Sequence, residues 1–193
     1  DEVVNELVLP GLVSLKQDTT LELTEEGKFA ASLNVNLQAS RAAVMAKRLG
    51  ILQIALPLIA RLAVGTLVFN RSNPIKRAHC RTSSVINEIC TYLEAVASEE
   101  NSFKAFEKVN LNYTVAREYA SMLKTVAAAA RTHLSTPLFD PTKKALADLQ
   151  QYLPGLKVCM AFADPTNFYT AAVVPAALVK SRTILLSRSS QME

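Results

Sequence analysis

Tryptophan is missing from this chain, and glycine is scarce: five residues in 193. So few glycines argue against a β-sandwich or barrel, whose many tight turns need them. They also stand apart, at positions 11, 27, 50, 65 and 155. No glycine-rich phosphate loop can be built from that spacing, which argues against nucleotide cofactors held in the usual way. Neither a G-x-S-x-G elbow nor an H-E-x-x-H helix occurs, so the standard signatures of a serine nucleophile and a zinc hydrolase are both absent. The expectation is a protein that is not an enzyme and carries no cofactor and no metal.

Cysteine and histidine are equally thin, with three and two residues. Cys80, Cys90 and Cys159 are widely spaced and odd in number, and read as buried thiols of a reducing compartment rather than a disulfide framework. His79-Cys80 with Cys90 is the one soft-ligand cluster. It offers three ligands with no fourth nearby, short of a closed zinc site. His79 reads as a polar group in a basic loop. His133, near a predicted helix end, reads as a partner for the helix dipole. Asn70-Arg71-Ser72 and Asn112-Tyr113-Thr114 have the form of glycosylation acceptors, a form that carries weight only in a secreted chain. The N-terminus shows no signal region, and a chain starting at Asp1 reads as a mature product, an excised domain or a processed piece of a precursor.

The most informative absence is of acid. Residues 1–26 hold seven acids and one base, a net charge of −6. Residues 27–87 then run for 61 positions without one Asp or Glu and carry nine bases. Residues 88–193 are close to balanced, at +1, and the whole chain is +4. A cationic stretch of this kind suits a phosphate backbone, an anionic lipid surface or an acidic protein surface. The bland alternative is a solvated basic face with no ligand.

Half of the residues are hydrophobic and the mean hydropathy is +0.17, enough for a sizeable core and against disorder along the whole length. The pattern is mainly helical. A short helix is predicted over 2–9, stopped by Pro10-Gly11, followed by an apolar piece at Leu12–Leu15. Period-two alternation on both sides of Glu25–Lys28 predicts a small β-hairpin within residues 20–37. Ser40 is expected to cap a helix over 41–49. The apolar run Leu49–Phe69 is 21 residues, long enough to span a bilayer. Pro57 should kink or divide it, and Arg61 speaks for a buried helix pair instead, with an acid such as Glu88 or Glu94, or a phosphate groove, to receive the guanidinium. Asn73-Pro74, Asp140-Pro141 and Asp164-Pro165 each read as a cap followed by proline at a helix start. Further helices are expected from Ser83 or Ser84 to Ala97, with a stripe of Val85, Ile86, Ile89, Leu93 and Val96, from Phe103 to Val109 behind Asn101, from Tyr113 to His133 behind Asn112, with Val115, Tyr119, Met122, Val126 and Ala130 on one face, from Lys143 to Leu153 with a break at Pro154-Gly155, and over 165–180. The total is a multi-helix bundle of about seven helices. Tyr92, Tyr113, Tyr119, Tyr152, Phe162, Phe168 and Tyr169 read as core or interface rings.

Three regions follow: an acidic arm at 1–26, a helical core at 27–180 and a polar tail at 181–193. The expected function is a non-enzymatic assembly subunit, nucleocapsid- or coat-like, that holds a nucleic-acid backbone in a basic groove. Its contacts would be Arg41, Lys47, Arg48, Arg61, Arg71, Lys76, Arg77 and Arg81, with the densest cluster in Asn70–Arg81. The only ring beside that loop in sequence is Phe69, so binding is expected to be to backbone, sequence-tolerant and to single-stranded RNA. The arm is expected to link neighbouring copies into a homo-oligomer, and a cytoplasmic or virion-like setting suits such an assembly. A helical adaptor for an acidic protein or an anionic membrane is the alternative, and an enzyme accessory subunit the second alternative.

Overall fold

The front of the chain folds back on itself. Strand β1 (Val13–Leu15) pairs antiparallel with β2 (Leu21–Leu23), Val13 opposite Leu23 and Leu15 opposite Leu21. This is a computed structural model, and it describes residues 8, 11–16, 20–76, 78–80, 83–98, 103–133 and 143–165. Among them are eight α-helices and this one two-stranded sheet, a mainly α bundle with a small hairpin. The hairpin begins earlier than the alternation implied. Its second strand ends at Leu23, and the period-two stretch after Lys28 is helix α1 (Glu25–Ser32) and a turn. Thr24 decides this: its side chain accepts the Gly27 N–H as an N-cap and donates to the Gly11 carbonyl at 2.7 Å. Glu25 and Glu26 in the first turn add favourable charge. The charge boundary after Glu26 therefore falls inside a helix.

Helix α2 (Leu37–Arg48) starts at Asn36, whose Oδ1 accepts the Ala39 N–H at 2.9 Å. Ser40, expected as the cap, is buried inside the helix instead. Ala39, Ala42, Ala43 and Ala46 fall at helical spacing and are fully buried. Small side chains on one stripe let α2 lie close against both α3 (Leu52–Val64) and the last described helix. Apolar residues surround α3 on nearly every side, which places it at the centre of the bundle. Pro57 sits within α3 without dividing it, and its carbonyl accepts the buried Tyr119 hydroxyl at 3.1 Å. Gly65, at φ 96°, ends the helix. No helix among the described residues is long and apolar enough to cross a membrane.

Helix α4 (Ser84–Ala97) is capped by Ser83 and buries Ile86, Ile89 and Leu93, as its stripe predicts. Short α5 (Phe103–Lys108) leads to α6 (Tyr113–His133), which buries Tyr119, Val126 and Ala130 against α3. Helix α7 (Lys143–Gln151) packs on α4, and α8 (Leu153–Ala163) on α2. Pro154-Gly155 does not simply break a helix. Proline in the first turn opens α8, because its missing N–H falls where no intrahelical partner exists. Asn73-Pro74 opens no helix and lies in a loop, and Asp164 closes α8. Residues 2–7, the caps Asn101 and Asp140, most of 165–180, and the tail lie outside the described residues.

The hairpin is locked to α1 at Gly27, where a Cβ would stand 1.9 Å from the Leu12 carbonyl oxygen. Backbone cannot yield as a side chain can. Gly27→Ala is expected to lower stability by about 1–3 kcal/mol, the usual cost of overpacking, read as a shift of the urea midpoint. At Gly155 the added Cβ meets only the far end of the Ile51 side chain, at 2.8 Å. Gly155→Ala should therefore stay within about 1 kcal/mol of wild type, since helix propensity offsets the contact.

Candidate nucleic-acid interface

The six predicted contact residues that the structure describes fall in three environments. The first is the core. Arg61 is 8% exposed and its Nε donates to Glu88 at 2.5 Å. Glu88, 3% exposed, also accepts the Leu67 N–H at 2.9 Å. Arg61 thus meets one of the two acids named for it, and its guanidinium faces protein rather than a groove.

The second environment is α2. Arg41 is half-buried and engaged within the chain. Lys47 holds its ammonium 4.6 Å from the centre of the Phe29 ring. Arg48 makes a two-pronged ion pair with Glu26 and lies 5.6 Å from the Phe162 ring. The basic block therefore receives part of the acidic block within one chain. The front segment is held on its own subunit at Leu12, which is buried in the common core, while Leu15, Leu21 and Leu23 of the hairpin stay exposed. The remaining described acids there pair locally, Glu22 with Lys16 and Glu25 with Lys28.

The third environment is the loop after α3. Arg71 and Lys76 are exposed, and neither makes an ion pair among the described residues. Arg77 and Arg81 lie outside the described residues. The loop is held from both ends by asparagines. Asn110, in the left-handed region at φ 62°, donates its side-chain amide to the carbonyls of Asn70 and Asn73. Asn87 on α4 accepts the backbone N–H groups of His79 and Cys80. Asn70 and Ser72 bond to each other, the Ser72 hydroxyl donating to Asn70 Oδ1 at 2.7 Å.

Sequence reasoning missed the rings that this geometry brings near the loop. An isolated bridge joins Val68 to Leu111, the Phe69 N–H donates to the Asn110 carbonyl, and the Asn112 N–H to the Leu67 carbonyl. The loop base is thereby stitched to the turn between α5 and α6. Phe103 and Tyr113 flank that turn and are exposed, their ring centres 5.4 Å apart. Of the rings read as core or interface, Tyr92 and Tyr119 are buried, whereas Tyr113 and Tyr152 are exposed. Tyr113 could have been found from its position off the Tyr119–Val126–Ala130 stripe of α6, with Arg117 one turn on.

Cys90 and Cys159 are poor nucleophiles. Burial pushes Cys90 up to about 12 and Cys159 up to about 11, far from the thiolate that thiol chemistry needs. All three cysteines are buried, and none forms a disulfide among the described residues. No group of three His, Cys, Asp or Glu among the described residues is placed to hold a metal ion; His79 contacts Glu94 at 3.1 Å. Comparison with protein-family models, curated proteins and solved structures finds no match to this chain.

Two predictions test these environments. Breaking the buried pair on one side, with Glu88→Leu or Arg61→Met, should cost about 3–5 kcal/mol, because one buried group keeps its charge without its partner. Arg61→Met combined with Glu88→Leu should recover much of that loss, and urea unfolding of the four proteins in a cycle gives the coupling. At the surface, the hydrogen bond from Arg48 holds the Glu26 carboxyl below its usual value. A carboxylate lowered on folding stabilises the native state above its unfolded pKa, and this is lost as pH falls through the lowered value. The stability gap between wild type and Arg48→Ala is therefore expected to close on acidification, measured as urea midpoints across a pH series.

Proposed function

We propose that the chain is a non-enzymatic helical assembly subunit that binds the backbone of single-stranded nucleic acid, RNA being the expected form. The observation that carries this reading is the loop at 70–76. It sits in the 61-residue acid-free stretch, is anchored by Asn110, and presents Arg71 and Lys76 to solvent with no ion pair among the described residues. Anchored cations without internal counter-charges suit phosphates, and release of counterions would supply the affinity. Self-association through the front of the chain belongs to the same proposal. Leu12 is buried in its own subunit's core, so the arm at 1–26 would link copies through its other apolar residues, Leu7, Val8 and Leu9 among them.

A second reading is a helical adaptor for an acidic protein. What favours it is the hairpin, where Leu15, Leu21 and Leu23 are all exposed. The absorbance ratio at 260 and 280 nm, after purification without nuclease at low salt, separates the two readings. The direct test is a salt titration of affinity for an RNA oligomer. The log–log slope is expected to flatten by roughly 1.4 units in Arg71→Ala/Lys76→Ala, at about 0.7 per phosphate contact on single strands. An affinity independent of salt, or no binding at low ionic strength, would sink the nucleic-acid reading.

A further inference from the structure

We infer that Phe103 and Tyr113 form a stacking platform for unpaired bases of an RNA strand whose backbone runs over the Arg71–Lys76 loop; this rests on the function proposed above. The rings are open to solvent: Phe103 is 57% exposed and Tyr113 36%. They are also held in place from below. Tyr113 lies 6.0 Å from buried Phe106, Phe106 stacks on Tyr92 at 5.9 Å, and Tyr92 meets Tyr119 edge-on at 4.6 Å. A ladder of rings thus runs from the core to the surface, so the outer pair loses little freedom when a base lands on it.

The surroundings of the pair fit a nucleotide. Arg117 carries its guanidinium 6.0 Å from the Tyr113 ring, an arrangement that can hold a base by stacking and a phosphate by charge. An open groove beside Tyr113 is lined by Thr114, Arg117, Glu118 and Ser121. Helix α5 carries Lys104 and Lys108 with Glu107, and Arg117 is followed by Glu118 on α6, so these segments alone are only weakly basic. The stronger electrostatic attraction comes from the neighbouring loop, stitched to the same turn through Val68–Leu111 and Asn110. Phe69, 71% exposed on that stitch, adds a third ring. Aromatic faces beside a cationic track distinguish single-strand binders, because every base has a face to stack and a duplex hides it.

The experiment uses the full chain and three probes: oligo(U), an abasic oligomer of the same length, and an RNA duplex. Phe103→Ala/Tyr113→Ala should weaken oligo(U) binding about 5- to 150-fold, the span expected for one lost stacked base, and leave the salt slope unchanged. Wild type should bind the abasic oligomer and the duplex more weakly than oligo(U), and the double variant should bind oligo(U) and the abasic oligomer alike. Circular dichroism should show an intact fold, since both side chains are exposed. Equal affinity of wild type for oligo(U) and the abasic oligomer overturns the platform and leaves the backbone reading standing. A double variant that changes oligomeric state with unchanged affinity overturns it too, making the rings a contact between copies. No binding to any probe at low salt removes both the platform and the function on which it rests.

Discussion

Glu88 is the residue through which the bundle and the loop are joined. It is an acid in the core, and a buried carboxylate is tolerable only when its charge and lone pairs are met. Arg61 meets the charge and the Leu67 N–H meets a lone pair. One side chain on α4 thereby fixes the end of α3 and the first residues beyond it. The chain leaving α3 is then directed past Thr66 and Leu67 to the bridge with Leu111. Beyond that bridge, the Asn110 side chain holds the loop of exposed cations to the turn between α5 and α6.

The packing around this pair explains why the helices can come so close. Alanines on α2 replace bulk with proximity, and α3, apolar on nearly all sides, is enclosed by neighbours. In that setting Arg61 is the exception on α3, and its partner must come from another element because residues 27–87 contain no acid. The same composition rule acts at the surface. Arg48 finds Glu26 in the acidic front segment, which is thus tied to the bundle by charge at Glu26 and by apolar burial at Leu12.

Charge was the most legible feature of the sequence, yet it did not sort the bases by use. Arg61, Arg48 and Arg71 are alike in composition. They differ because one is buried against Glu88, one is paired with Glu26, and one stands on an anchored loop. Burial and distance to a counter-charge depend on residues tens of positions away, so no local pattern carries them. The hairpin shows the same limit on a shorter scale. Alternation over 29–37 was a true period of two, but the Thr24 cap and the fit of Gly27 under the Leu12 carbonyl favoured a helix.

The sequence by itself determined the helical class, the stripes of α4 and α6, the cap at Asn112, and a buried helix within the apolar run Leu49–Phe69. Each follows from a spacing of apolar residues or from a side chain that can bond only to its own neighbours. Only the tertiary structure decided which bases face solvent, and that the turn leading into Tyr113 is bonded to a loop some 40 positions earlier in the chain. That proximity is made by a two-residue bridge and by one asparagine in a left-handed turn. Such contacts join segments whose own sequences are unremarkable, and their geometry exists only once the core between them has packed.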